Sequence, residues 1–502
     1  MWLHLPERDI LTSLARFAAR ENVQLYLVGG TVRDLLLGRE VEDLDFAVAG
    51  DALSFARKFA DLAGASLVPL DEQQGTARVV FHKGVLSMDF SRTRGADITE
   101  DLAARDFTIN AMAIDFAQMI NTGGTGIPAC DTLHEAAVID PYSGAEDLDN
   151  RLIRLVSAQS IRDDPIRMLR AYRFAATLDF GIHDATSAII QSSVNLLDSV
   201  SAERIRDEVF KILATDNSAY YLKAIDNVGL LEQIFPEIAR MKGMEQNEYH
   251  HLDVWGHSML TLEFFERDPL PDSLGNYLPE VENYLEHELV KGRTRRSLVK
   301  LAALLHDVGK PDTRTMDRNG RIRFFDHNLK GAEIMADVGR RLKLANKEIL
   351  FLREITEDHM YPLGLSVFLR KPRGTKEKNR TLRRFIQRTG TEWLAILLIS
   401  FVDLRATQGP RRRPDDLEKL VQLISEIADM YFHEIRHPIP KLITGSDLME
   451  EFDLPAAPII GQLLKRVNEA QIDGTVKTRD DAMELVRNIL SPCKDIVKPE
   501  DK

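Results

Sequence analysis

Three carboxylates in the N-terminal part of the sequence have the spacing that phosphoryl transfer uses. Asp43 and Asp45 stand on either side of one leucine at the start of an apolar run, and Asp89 lies in a later apolar run. Alternate residues of a strand face the same side, so we expect Asp43 and Asp45 to be neighbours. Carboxylates held this close repel each other unless a hard divalent cation lies between them, and magnesium is the expected ion. Such ions bridge a triphosphate and activate an attacking 3′-hydroxyl.

A glycine pair precedes these carboxylates. Gly29 and Gly30 lie where a short apolar run changes into a leucine-rich segment. Residues without a Cβ allow backbone N–H groups to approach a triphosphate where a strand becomes a helix. Taken alone, such a pair is more often a plain turn, and two acidic residues are more often an exposed turn. Together they predict a nucleotide site with Asp43, Asp45 and Asp89 as the catalytic carboxylates.

A second set of side chains, in the C-terminal half, has the composition of a metal site. It comprises His257, His306, Asp307, His327, His359 and Asp403. Mixed imidazole and carboxylate ligands favour manganese, nickel, cobalt or iron over a closed structural zinc site. A single histidine is most often an ordinary polar residue, but the ordered set predicts a metal centre. Water on such a metal attacks phosphoesters, although a site of this kind also persists in proteins without turnover.

Short strands and amphipathic helices must position the first set. The strand patterns cover residues 25–28, 45–48, 77–81 and 85–90. The helical patterns cover residues 31–38, 52–63, 164–178, 202–213 and 218–225. Connections are expected at residues 121–130, 374–379 and 408–415, from their glycine, proline or charge content. The fold class is therefore α+β, with a small mixed α/β head followed by helical regions.

Length and composition limit the class of protein. A chain of 502 residues exceeds what one core organises, and 44% hydrophobic with 28% charged residues is typical of globular proteins. No apolar run approaches the roughly 18 residues that span a bilayer, and residues 1–4 lack the start of a signal peptide. We therefore expect a cytoplasmic protein without a membrane partner. Two cysteines far apart in sequence, Cys130 and Cys493, indicate neither a disulfide framework nor a thiolate zinc site.

The net charge of −13 excludes a surface that is basic everywhere, but three basic clusters remain. The first is Lys291, Arg293, Arg295 and Arg296; the second is Lys371, Arg373, Lys376, Lys378, Arg380, Arg383, Arg384 and Arg388; the third is Arg411, Arg412 and Arg413. Each cluster is either a solvated face or a phosphate-binding surface.

Four further motifs follow the glycine turn and the carboxylates. They are RDFTINAMA at 105–113, DPYSGAEDL at 140–148, DDPIRMLRAYRF at 163–174 and ERIRDE at 203–208. With GGTVRD at 29–34 and DLD at 43–45, this ordered set resembles the bacterial-type, class II tRNA nucleotidyltransferases and poly(A) polymerases of the polymerase-β-like superfamily. His306 and Asp307, which close an apolar segment, resemble the signature of HD phosphohydrolases.

The resemblance implies that the chain adds C or A, from CTP and ATP, to the 3′ end of tRNA. Arg105 and Asp106 would contact the ribose, while Asp164 and Arg167 would present edges that cytosine and adenine match. The nucleotide-binding residues that it implies are Gly29, Gly30, Arg33, Arg105, Asp106, Asn110, Asp163, Asp164, Arg167, Arg170 and Arg173. The residues around Asp164 also fit a plain helix start with an i,i+3 ion pair between Asp164 and Arg167.

The resemblance also divides the chain. The head is expected at residues 1–150, a helical neck that binds nucleotide and RNA at 151–225, the HD region at 226–440, and a helical tail that grips the RNA elbow at 441–502. Relatives with HD domains include enzymes that act on cyclic nucleotide phosphates or on RNA 2′,3′-ends.

Three departures from the family pattern keep alternatives open. Ala104 replaces a usual arginine, Asp163 replaces a usual glutamate, and the link between Asp89 and Arg105 is short. Full CCA-adding relatives carry a longer loop there, and the shortened form resembles enzymes that add only two cytidines. A CC-adding enzyme, a poly(A) polymerase and an HD hydrolase whose head only binds nucleotide are the alternatives. The sequence leaves the oligomeric state open.

Overall fold

The computed structural model describes residues 5–41, 43–71, 75–81, 86–122, 138–370, 374–435, 442–455, 457–472 and 475–490. Most of the connection expected at residues 121–130 lies outside the described residues, as do Lys371 and Arg373 of the second basic cluster. Cys130 and Cys493 lie outside them as well.

The head forms one seven-stranded sheet. Its strands are β1 (Leu25–Val28), β2 (Asp43–Val48), β3 (Ser66–Asp71), β4 (Thr76–Val80), β5 (Ser87–Arg92), β6 (Ala113–Asp115) and β7 (Val138–Ile139). They lie in the order β3-β4-β5-β2-β1-β6-β7. β2 and β5 are parallel, whereas the other neighbouring pairs are antiparallel. The mixed α/β head predicted from the sequence is confirmed.

Aromatic packing holds the two central strands that carry the carboxylates. The helices of the head are α1 (Leu5–Glu21), α2 (Gly30–Leu36), α3 (Ala52–Ala63), α4 (Ile98–Ala103), α5 (Phe116–Thr122) and α6 (Gly144–Asp149). Phe46 of β2 stacks on Phe90 of β5 with ring centroids 5.3 Å apart, and Phe55 of α3 packs 5.7 Å from Phe90. Because strand side chains alternate, Asp45 and Asp89 face the other side of the sheet.

Helices dominate the rest of the described chain, as predicted. They are α7 (Gln159–Asp163), α8 (Arg167–Leu178), α9 (Asp184–Ser193), α10 (Ala202–Leu213), α11 (Ser218–Asn227), α12 (Leu230–Ile234), α13 (Ile238–Met241), α14 (Val254–Arg267), α15 (Leu278–Glu286), α16 (Arg295–Leu305), α17 (Lys310–Thr313), α18 (His327–Arg341), α19 (Asn346–Asp358), α20 (Tyr361–Phe368), α21 (Thr375–Thr389), α22 (Trp393–Ala406), α23 (Asp416–Asp429), α24 (Gly445–Phe452), α25 (Pro458–Ile472) and α26 (Arg479–Leu490). Three short strand pairs accompany them: β8 (Leu152–Ile153) with β9 (Gly181–Ile182), β10 (Glu288–Val290) with β11 (Arg293–Thr294), and β12 (Arg314–Met316) with β13 (Ile322–Phe324).

Two buried helices form the centre of the rear region. Residues 297–305 of α16 are all buried, and α22 is buried along nearly its whole length. α22 is apolar on nearly every side, and such a helix belongs inside a protein core. His306 follows α16 directly and Asp403 lies in the last turn of α22, so the core positions both side chains.

Two local predictions were wrong. Residues 374–379 were expected to be a connection, but α21 begins at Thr375, because Leu382, Phe385 and Ile386 bury one face of a long helix while its charges stay in solvent. The helix expected at residues 164–178 begins only at Arg167, and Asp164 is extended with φ −151° and ψ 95°. The residue before a proline avoids the helical region, so Pro165 separates α7 from α8.

The tail helices α24, α25 and α26 share a small core of their own, which includes Leu448, Leu463 and Val486. None of the helices in the described part of the chain combines the length and the apolar character needed to span a membrane.

Candidate functional site

The three head carboxylates lie on neighbouring strands. Asp43 and Asp45 are on β2, and the parallel register places Asp89 of β5 opposite Asp45. The Asp43 side chain is 54% exposed and that of Asp89 is 19% exposed. Burial, with the negative charges of Asp89 and Asp43, raises the pKa of Asp45 to about 6 against the opposing charges of Arg105 and Arg33. Concentrated negative charge of this kind favours a divalent cation.

The glycine turn lies directly beside Asp45. Gly29 has φ 66° and ψ −129°, a conformation that residues with a Cβ rarely adopt. A Cβ on Gly29 would lie 2.8 Å from Arg105 Nη1, and one on Gly30 would lie 3.7 Å from Asp45 Oδ2. Glycine is therefore required at position 29 by its backbone conformation, and a Cβ there would also displace the Arg105 guanidinium.

Thr31 is a residue of this site that sequence reasoning missed. Its hydroxyl accepts a hydrogen bond of 2.7 Å from the Asp45 N–H and donates one of 3.3 Å to the Asp43 carbonyl. It thereby ties the start of α2 to the strand that carries both carboxylates. A threonine immediately after a glycine pair was the only sequence signal for this role.

Four of the predicted nucleotide-binding residues form one network. Asp106 accepts from Arg170 at 2.7 Å and from Asn110 Nδ2 at 3.1 Å, and Arg33 donates to Asn110 Oδ1 at 2.9 Å. Burial alone would raise the pKa of Asp106, but the charge of Arg170 and the hydrogen bonds from Asn110, Arg170 and the Phe107 N–H lower it below its ordinary value. Asp106 is thus held as a carboxylate inside the network.

Arg105 and Arg167 lie next to this network without pairing with Asp164. Arg105 forms an ion pair of 2.9 Å with Asp101. Arg167 donates to the carbonyls of Ala104 at 3.0 Å and Arg105 at 3.3 Å. Burial lowers the pKa of Arg167 below its ordinary value. The alternative of an i,i+3 ion pair between Asp164 and Arg167 is therefore wrong.

The remaining predicted residues connect the junction and the neck in different ways. Asp164 pairs with Arg204 of α10 at 2.7 Å. Arg173 donates to the buried Glu208 of α10 at 3.0 Å. Asp163 is exposed at the end of α7 and accepts a hydrogen bond of 2.8 Å from Gln159.

All six predicted residues of the rear site converge. We call them the rear metal cluster: His257, His306, Asp307, His327, His359 and Asp403. They form three overlapping groups whose ligand atoms lie within 4.8 Å of one another. His257 Nε2 lies 2.8 Å from Asp403 Oδ1, and His306 Nε2 lies 3.2 Å from Asp307 Oδ2.

Three of these histidines are oriented as metal ligands are. In His306, His327 and His359, Nδ1 contacts the backbone carbonyl three residues earlier, at 2.7–2.9 Å. The Nε2 atoms of the same three rings are buried and have no hydrogen-bond partner among the described residues. Ligating histidines typically use one ring nitrogen for such an orienting contact and the other for the metal. Burial and the neighbouring His306 lower the pKa of His359 to about 3, so its imidazole stays in the neutral form that binds metal.

A cavity of about 460 Å³ opens onto the cluster at Asp307, His327 and Asp403. Its wall carries five cationic residues and several aromatic ones that sequence reasoning gave no role here: Lys310, Arg323, Arg370, Arg412, Arg413, Tyr249, Phe324 and Phe325. Lys310 Nζ donates to Asp307 Oδ2 at 2.5 Å. Arg412 and Arg413 of the third basic cluster thus line this cavity. Cationic and apolar walls beside a metal site fit a phosphoester with an organic group attached.

Family models match four separate segments of the chain. A profile described as the poly(A) polymerase head domain matches residues 25–154, and one for the HD domain matches residues 273–387. Profiles for an RNA-binding site of polymerase A and for domain 2 of tRNA nucleotidyltransferases match residues 179–242 and 416–486.

Curated relatives cover most of the chain. An A-adding tRNA nucleotidyltransferase of Deinococcus radiodurans is 30% identical over 469 residues, which are 92% of this chain and 94% of that protein. A CC-adding tRNA nucleotidyltransferase of Thermus thermophilus is 30% identical over 91% of each chain. A solved CCA-adding enzyme from Thermotoga maritima, in complex with tRNA, has a TM-score of 0.61 at 22% identity over 98% of this chain and 97% of its own, a likeness of fold.

Proposed function

Because the chain belongs to the tRNA nucleotidyltransferase and poly(A) polymerase family, we propose that it adds C and/or A, from CTP and ATP, to the 3′ end of tRNA without a nucleic-acid template. The observation that carries the proposal is the set of three carboxylates, Asp43, Asp45 and Asp89, on neighbouring strands beside the Gly29 turn. A nucleotidyltransferase needs this arrangement of metal-binding carboxylates and open backbone.

The head residues have separate proposed roles in catalysis. Asp43, Asp45 and Asp89 would hold magnesium, which when bound supplies charge neutralisation for the triphosphate and a more acidic 3′-hydroxyl. Gly29 and Gly30 leave space for phosphate oxygens next to Asp45. Thr31 keeps β2 and α2 in fixed relation, which holds the backbone of Asp43 and Asp45 in place beside the glycine turn.

The ribose and the base would contact separate groups. The network of Asp106, Asn110, Arg170 and Arg33 offers donors and acceptors to the ribose and phosphates. Asp164 would accept from the exocyclic amino group of cytosine or adenine, and Arg167 would donate to a ring acceptor. Uracil and guanine present the opposite pattern at these positions and are disfavoured. Arg105, Asp163 and Arg173 remain predicted nucleotide contacts.

Binding of tRNA would depend on few of the predicted basic residues. Several of them pair within the chain: Arg293 with Glu348, Arg296 with Glu282 and Glu286, Lys378 with Glu426, and Arg388 with Asp358. Arg380 and Arg384 are exposed one turn apart on α21. We propose that these two contact RNA phosphates, which are read by charge and not by sequence.

The decisive experiment supplies purified protein with tRNA that ends at the discriminator base, together with CTP and ATP. We expect an extension of at most three nucleotides on a sequencing gel. Long adenylate tails would instead support a poly(A) polymerase. No extension of this tRNA or of tRNA ending in CC would support the hydrolase with a nucleotide-binding head. We also propose four regions: the head at residues 1–150, the neck at 151–225, the HD region at 226–440 and the tail at 441–502. A cytoplasmic location is proposed as well, because the chain has only two cysteines and disulfides are typical of oxidising compartments.

We also propose a second activity, phosphoester hydrolysis at the rear metal cluster. The Nε2 atoms of His306, His327 and His359, which make no hydrogen bond within the described residues, support it. The cationic cavity at Asp307, His327 and Asp403 supports it as well. The ligand types favour manganese, nickel, cobalt or iron. Metal analysis of the purified protein and phosphate release from 2′,3′-cyclic nucleotides test it. A protein without transition metal after growth with these ions would contradict the proposal.

A further inference from the structure

Arg78 lies in the same cross-strand row as two of the head carboxylates. The β4–β5 register places Arg78 opposite Asp89, and the β2–β5 register places Asp89 opposite Asp45. Residues that are opposite each other on adjacent strands share one face of a sheet. Arg78 therefore faces the same side as the carboxylates proposed to bind metal.

The Arg78 guanidinium occupies both oxygens of Asp89. Its Nε donates to Oδ1 at 2.7 Å and its Nη2 donates to Oδ2 at 2.8 Å. Nη2 also lies 3.8 Å from Asp43 Oδ2. The hydrogen bonds to Asp89 raise the pKa of Arg78 further above its ordinary value, so the group stays charged. A two-point contact of this kind is the strongest that arginine makes with a carboxylate.

A divalent cation requires the same oxygens. Among the described residues, the head carboxylates do not form a group whose ligand atoms all lie within 4.8 Å of one another, whereas three triplets within the rear metal cluster do. A guanidinium and a divalent ion on one carboxylate repel each other, because Coulomb energies at a few ångströms exceed thermal energy even near a surface. Arg78 and the metal therefore compete for Asp89.

We infer that Arg78 is the counter-ion of Asp89 in the metal-free protein, and that a divalent cation displaces it before the three carboxylates converge. The inference rests on the proposed function for the identity of the metal-binding carboxylates. Arg78 is a positioning residue, since it fixes the Asp89 carboxylate through both oxygens while metal is absent. Its side chain is 37% exposed, so it has room to move toward solvent.

Binding of Mn²⁺ to the full-length chain, without nucleotide, tests the inference. Arg78→Gln removes the charge, and Arg92→Gln removes a charge from an exposed position on β5 as the matched control. The Asp45→Asn variant shows which Mn²⁺ sites lie in the head, because it weakens those sites. Sites that it leaves unchanged belong to the rear metal cluster. We expect the Kd of the head sites to fall about tenfold in Arg78→Gln and to stay within about twofold in Arg92→Gln.

Arg78→Lys gives an independent result. Lysine keeps the charge but cannot make the two-point contact, so we expect a Kd between those of the wild type and Arg78→Gln. An unchanged or higher Kd in Arg78→Gln, or the same fall in Arg92→Gln, overturns the inference. If Arg78→Gln does not fold, as judged by circular dichroism, a wild-type Kd in Arg78→Lys overturns it. If Asp45→Asn weakens no class of Mn²⁺ sites, the proposed metal site itself is wrong.

Discussion

Arg204 of α10 donates a hydrogen bond of 2.7 Å to Asp164 from 40 positions later in the sequence. The neck thereby holds the carboxylate that we propose reads the base. We predict that Arg204→Ala lowers the preference for CTP over UTP about tenfold, equivalent to ~1.4 kcal/mol of discrimination, because Asp164 becomes free to turn away. The measurement is kcat/KM for each nucleotide. Arg206→Ala is the control, since Arg206 donates to the Lys343 carbonyl. The same loss of preference in both variants would argue against a specific role for Arg204.

Replacing Asp43 or Asp45 with Ala should nearly abolish nucleotide addition and leave tRNA binding intact, because only the metal ligands are lost. Single-turnover addition and a filter-binding assay measure the two effects. Asp61→Ala, at an exposed position on α3, is the control for lost charge and should add nucleotides normally. A variant that kept more than about a tenth of the rate, a change of under ~1.4 kcal/mol in the barrier, would contradict the assignment.

Gly29→Ala should be far more harmful than Gly64→Ala, although both glycines have positive φ, 66° and 65°. A Cβ at Gly64 meets nothing within 4 Å, whereas one at Gly29 lies 2.8 Å from Arg105 Nη1. The backbone strain at Gly64 costs about 1–2 kcal/mol of unfolding free energy, measured by urea denaturation. Only Gly29→Ala should also reduce nucleotide addition, by about a hundredfold. Equal activity in the two variants would show that the turn does not approach the nucleotide.

Replacing His306 with Ala or Asp307 with Asn should remove the metal of the rear cluster while sparing nucleotide addition, since the two sites have separate ligands. Elemental analysis of the pure variants checks the first expectation and a primer-extension assay checks the second. His287→Ala, at an exposed histidine, serves as the control and should keep its metal. Retention of a full metal complement in both cluster variants would place the metal elsewhere.

The short link between Asp89 and Arg105 leads us to predict that addition stops after two cytidines. In the structure, Asp101 accepts hydrogen bonds from the Arg94 N–H at 3.1 Å and from Arg105 Nε at 3.0 Å, so the link is tied to the site. Without a longer loop to re-aim Asp164 and Arg167, the third addition should be about a hundredfold slower, or ~2.7 kcal/mol higher in barrier. The test supplies tRNA that ends in CC with ATP alone. Efficient addition of one adenosine would leave a CCA-adding or A-adding enzyme.

The sequence by itself determined the features that depend on local periodicity. Strand alternation placed Asp43 and Asp45 on one face, and helical periodicity identified most of the neck. The rear metal cluster was also predicted from the sequence, because its six residues are all of types that bind metals. The structure brings these six residues together. The strand and helix features need only regular backbone geometry. The rear cluster was identified from its residue types, and its convergence needed the tertiary fold.

Only the tertiary structure decided which side chains meet. The pairing of Arg78 with Asp89 depends on the register between β4 and β5, and that of Arg204 with Asp164 depends on how α10 packs. The same holds for the basic clusters: Arg293 is a candidate for phosphate binding by its sequence position, but in the structure it pairs with Glu348. Register and packing are set by the burial of apolar surface across the whole chain, so short sequence patterns do not encode them.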